Sequence, residues 1–108
     1  MIQQTTATEF SVDSILDLDP AWFVGDGTLR ASLAPEDVRH DNTRRAGRAA
    51  RAVLSFAADE RWYEDERPSV PIQVLLGDLM HLCDSLGIDY DEIHGYAEAA
   101  YSQEISGE

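Results

Sequence analysis

The chain has 108 residues, 44% of them hydrophobic and 27% charged, which is enough for one domain with one core and too few for two. It carries 21 acidic residues against 8 arginines and no lysine, a formal net charge of −13, while the adequate apolar fraction argues against wholesale disorder. No apolar run approaches the ~20 residues of a bilayer-spanning helix, the first residues lack a basic and then apolar leader pattern, and one cysteine, Cys83, excludes an internal disulfide framework.

These features predict a soluble, cytoplasmic chain. The charge is segregated: residues 1–30 carry five acids and one Arg, residues 31–58 three acids and five Arg, and residues 59–108 thirteen acids and two Arg. The C-terminal half is therefore an acidic pole, and the middle segment is the only net-basic stretch.

In chain order, residues 1–8 are polar and read as a disordered tail, leaving residues 9–108 as a single domain. Val12, Ile15 and Leu16 share one side of a short helix that Ser11 can cap and that Pro20 follows. Two apolar stretches then flank Gly25, Asp26 and Gly27, which have the chemistry of a tight turn, so residues 21–33 predict a small β-hairpin. Pro35, Glu36 and Asp37 suit a first helical turn. From there a helix should run to about residue 58, with Val38, Asn42, Ala46, Ala49, Ala50, Val53 and Ala57 on its inner stripe and Arg44, Arg48 and Arg51 opposite. The stripe of arginines is expected to pair internally, with Asp37, Asp41 or the acidic half. Residues 58–69 are highly charged and read as a loop pinned by Trp62 and Tyr63.

The last third is the most regular. Ser69 can cap a helix on which Ile72, Leu75, Leu76, Leu79, Leu82, Cys83 and Leu86 form an amphipathic stripe, Gly87 supplies a left-handed C′ position, and Asp89 with Glu92 has capping-box spacing for a final helix to about residue 104. Residues 69–104 thus predict an αα-hairpin with a short connection. The fold class expected from all this is α+β, predominantly helical, with about four helices, the C-terminal hairpin and the small β-hairpin.

No catalytic motif, zinc signature or phosphate-binding glycine loop is present, and no cofactor is implied. Cys83 lies on an apolar stripe beside Asp78 and Asp84, a setting that disfavours the thiolate. Two Asp-x-x-His units, Asp78 with His81 and Asp91 with His94, could hold a metal only if they converged. A carboxylate-covered surface repels phosphate backbones and attracts basic grooves. The partner expected is therefore a basic nucleic-acid-binding protein, with no direct nucleic-acid contact and no membrane, and the candidate contact residues are Asp59, Glu60, Glu64, Asp65, Glu66, Asp84, Asp91 and Glu98. High carboxylate density also serves solubility and salt adaptation.

The segment from Leu75 to Tyr101, with Asp-Leu-Met-His, Cys-Asp and Gly-Ile-Asp-Tyr-Asp in succession, resembles the C-terminal signature of small uncharacterised bacterial, phage and plasmid proteins, a resemblance that brings no assigned activity. More loosely it is similar to the MazG-type nucleotide pyrophosphatases, all-α enzymes that bind magnesium through two carboxylate motifs. The second of these would fall on Leu75 to Asp78, with Leu75 in place of its glutamate, and Asp59, Glu60 and Glu64 do not have the spacing of the first. In size and charge the chain is similar to phage inhibitors of host defence, including anti-CRISPR proteins and DNA mimics, and this resemblance implies a non-enzymatic inhibitor.

Overall fold

The computed structural model describes residues 5–59 and 66–107. Among them are three α-helices, α1 (Pro35–Ala58), α2 (Ser69–Leu86) and α3 (Tyr90–Ser106), preceded by two 3-10 turns, Ile15–Asp17 and Pro20–Phe23. No described residue is in a strand, so the α+β expectation is overturned and the architecture is all-α.

The expected β-hairpin fails for two local reasons. Asp19 Oδ1 accepts from the Ala21 N–H at 2.9 Å and Pro20 occupies the first position, where a missing N–H is harmless, so residues 20–23 coil instead of extending. The tight turn itself is present, with Gly25 and Gly27 both at positive φ. The chain leaving it has no strand to pair with, because the backbone N–H groups of Arg30 and Ala31 are taken by the Asp41 carboxylate. The expected first helix is likewise reduced to the turn Ile15–Asp17, capped by Ser14 in place of Ser11.

The three long helices stand where the sequence places them, although Ser69, expected to cap α2, is its first residue and gives no side-chain cap. α1 begins on Pro35 with Glu36 and Asp37 in its first turn. α2 ends on Gly87 at φ +67, whose N–H returns to Asp84 and Cys83 carbonyls, and Asp89 Oδ1 accepts from the N–H groups of Asp91 and Glu92 at the start of α3.

The core is small and lies where α1 meets the start of α2. Ile15, Val53 and Ala57 are buried together, with Leu18, Leu54, Phe56, Val70, Val74 and Leu75 packed against them. Pro71 is fully buried in the first turn of α2, where its ring fills space without removing a helical hydrogen bond. A second contact holds the turn at residues 20–23 on α1. Gly47 lies against Phe23, so close that a Cβ would stand 2.5 Å from the Phe23 Cβ, and Phe10 packs edge-on to Phe23 with ring centroids 4.9 Å apart.

The ends of the described chain meet on α1. The Thr5 N–H donates to the Ile105 carbonyl at 2.7 Å, and Asn42 Nδ2 donates to the carbonyls of Thr5 and Glu104 at 2.8 and 3.0 Å. Thr5 is buried and the Thr8 N–H donates to Thr43 Oγ1, although both lie within the stretch that composition marks as a tail.

Candidate functional site

Two features are built well enough to carry chemistry: a polar cluster at the start of α1 and the acidic surface of α2 and α3. The cluster begins with Asp41, which α1 turns inward beside the loop of residues 24–33 and leaves 5% exposed. Its carboxylate accepts from the Arg30 N–H at 2.8 Å, from the Ala31 N–H at 2.9 Å and from His40 Nδ1 at 2.9 Å. Burial pushes its pKa up, but these hydrogen bonds to the charged form outweigh that and bring it down to about 2.

His40 is held at both nitrogens. Nε2 accepts from the Asp26 N–H at 2.9 Å, which places the ring proton on Nδ1, facing Asp41. Gly25, at φ +55, sits directly against the same ring, where a Cβ would collide with Nε2. The ring is thus a clamp on the glycine turn, with no free lone pair to take a substrate proton. Asp26 and Asp37 both bind the Arg30 side chain, at 2.7 and 3.0 Å, and the Arg30 guanidinium holds the Asp26 carboxyl below its usual range. A cavity of about 570 Å³ opens beside this cluster, lined by Phe10, Trp22, Arg39, His40 and Thr43 among others. Of its titratable wall, His40 is committed to holding the loop, while Glu36 and Arg39 also line it.

The stripe of arginines behaves differently from expectation. Arg44 donates to the Val24 carbonyl, and Asp37 and Asp41, the proposed partners on α1, are engaged by Arg30, His40 and backbone. Arg48 and Arg51 make no ion pair among the described residues. The contact between the basic segment and the acidic half is made by a neighbour outside the stripe, Arg45, whose Nε lies 2.9 Å from Glu104.

Of the acidic residues singled out in sequence, Glu60, Glu64 and Asp65 lie outside the described residues, as do Trp62 and Tyr63. Asp59 is exposed at the end of α1, and Glu66 is half-buried with its carbonyl accepting from the Ile15 N–H. Asp84, Asp91 and Glu98 are all exposed, Glu98 lying 3.3 Å from His94. α2 is roughly 25 Å long, so Asp84 and Asp91 flank the Gly87 turn between α2 and α3, two helices that cover each other little, while Asp59 and Glu66 stand near the start of α2. The predicted contact set is split between two ends of α2.

The Asp-x-x-His units do not assemble into a metal centre. His94 pairs with Glu98 and stacks on Tyr90 with centroids 5.8 Å apart, and among the described residues no three His, Cys, Asp or Glu side chains group to hold an ion. No helix among them is long and apolar enough to cross a membrane. No known protein family, curated protein or solved structure matches the chain.

Sequence reasoning missed the Asp26, Arg30, His40 and Asp41 cluster. The only signal was Gly25-Asp26-Gly27, read as a turn; that the turn would be tied down by a His-Asp pair fourteen residues later is a tertiary fact with no periodicity of its own.

Proposed function

We propose that this is a non-enzymatic, acidic interaction protein whose C-terminal carboxylates occupy the basic, nucleic-acid-binding site of a partner protein, in the manner of a mobile-element inhibitor that mimics DNA. One observation carries the reading. From Ser69 to Gly107 the chain has seven carboxylates and no Arg or Lys, and within that stretch only Glu104 meets an arginine among the described residues. Asp78, Asp84, Asp89, Asp91, Glu92 and Glu98 are exposed on α2, α3 and the turn between them, producing an anionic field that a basic groove would recognise and a nucleic acid would not.

The test is capture of partners on the immobilised full chain, followed by competition with duplex DNA over a salt series. The expected result is a basic partner released by DNA and by rising salt, with association weakened when Asp84, Asp91 and Glu98 are reversed to Lys and the fold is retained. Failure to recover a basic partner, or recovery of one that the reversed variant binds equally well, contradicts the proposal.

A further inference from the structure

The apolar surface of α2 is larger than the chain itself covers. Val70, Pro71, Val74 and Leu75 pack toward the core, yet Ile72, Leu76, Leu79 and Leu86, on a different side of the same helix, remain exposed. Positions 72, 76, 79, 83 and 86 are spaced four, three, four and three residues apart, the seam of a helix that packs knobs-into-holes against another helix. The structure supplies no such helix. α1 leaves an open apolar groove of about 460 Å³ beside Ile72, Leu76 and Leu79, and α3 is exposed throughout residues 91–103, Ile93 and Tyr96 included.

The surface of the whole chain is also larger than a compact fold of this mass needs. A folded monomer of 12.0 kDa is expected to expose about 6,000 Å², and this chain exposes 7796 Å². Its Cα radius of gyration is 15.4 Å, against about 13 Å for a compact domain of this length. The excess, roughly 1,800 Å² summed over the whole chain, is large enough to hold the area that each subunit of an obligate homodimer buries. Charge placement allows two copies of this acidic protein to meet there. No charged residue lies between Ser69 and Gly77, and at 100° per residue Asp78 and Asp84 stand roughly 120° to either side of the seam, away from its centre.

We infer that the seam of α2, with the groove it shares with α1, is a homodimer interface, in which Ile72, Leu76 and Leu79 of each copy pack against the same residues of a second copy over the open groove. The contact is isologous, pairing one seam with itself, and it leaves the hairpin carboxylates on the outside. Nothing in it depends on the identity, or existence, of a basic partner.

Sedimentation equilibrium of the full chain over a dilution series tests this. The expected mass is twice 12.0 kDa at the upper end of the series, falling to one copy for Leu76→Glu with Leu79→Glu; far-ultraviolet circular dichroism should retain the helix signal of that variant, because both side chains are exposed in the single chain. Leu86→Glu, at the far end of the seam, should weaken the dimer without abolishing it. A wild-type chain that remains a monomer throughout the series overturns the inference, and so does a dimer that persists undiminished in the folded double variant.

Discussion

Residues 5–58 and residues 69–106 are both helical, but their surfaces are satisfied in different ways. In the first region most buried polar groups are matched, Arg44 Nε excepted: Asp41 receives three hydrogen bonds, His40 uses both ring nitrogens, and Asn42 joins the two ends of the described chain. In the second region α2 closes on Gly87 and α3 opens on a capping Asp89, yet Leu79 is 40%, Leu86 62% and Tyr96 67% exposed. A helix whose ends are locally well formed can still lack a covering for its apolar side. Here local order and tertiary burial have separated, and the region with the clearest sequence pattern is the one with the least packing around it.

Asp41→Ala should produce the largest loss, about 2–4 kcal/mol, because it leaves the N–H groups of Arg30 and Ala31 without their buried acceptor. Glu98→Ala on α3 should change urea stability by no more than about 0.5 kcal/mol. The same contrast has a pH signature. The Asp41 pKa falls from about 3.9 in the unfolded chain to about 2 in the fold, so its contribution is complete above the unfolded value and is lost as pH falls toward 2. Thermal midpoints of wild type and Asp41→Asn should accordingly converge at the acid end of a pH series.

Asn42→Ala comes next, at about 1–3 kcal/mol, since the carbonyls of Thr5 and Glu104 lose a shared donor. Its proteolysis rate near residue 5 should rise with it. Val53→Ala, in the buried cluster, should cost about 2 kcal/mol. Leu79→Ala, measured where the chain is a single copy, should cost less than about 1 kcal/mol, reversing the order that residue size alone suggests. A small gain is expected at Ala31, a non-glycine residue at φ 55: Ala31→Gly should raise stability to denaturant by about 0.5 kcal/mol, since relief of the left-handed penalty exceeds the added chain entropy.

Where sequence and structure agree, the signal is local. Pro35 with its acidic first turn, Gly87 in the left-handed conformation and Asp89 as a cap each act within four residues, and the helices they bound stand where the spacing predicts. Residues 10–33 were misread because their conformation is set from outside. Asp19 and Pro20 turn the chain before the first apolar stretch can extend, and Asp41 occupies the donors a second strand would have used. The acidic pole was legible as composition, but its division between the base and the tip of α2 was not, since that depends on where the helix carries each carboxylate. Periodicity marked Leu76 and Leu79 as apolar-face residues correctly; it could not say whether this chain or another copy provides the cover.

Amide hydrogen exchange on the full chain at two protein concentrations tests the contrast most directly. The account predicts that the amides of Arg30, Ala31 and the start of α1 exchange slowly at both concentrations, while those of residues 79–86 on α2 exchange through an earlier, partial opening that slows as concentration rises. Equal protection of α1 and α2, unchanged by concentration, would contradict it.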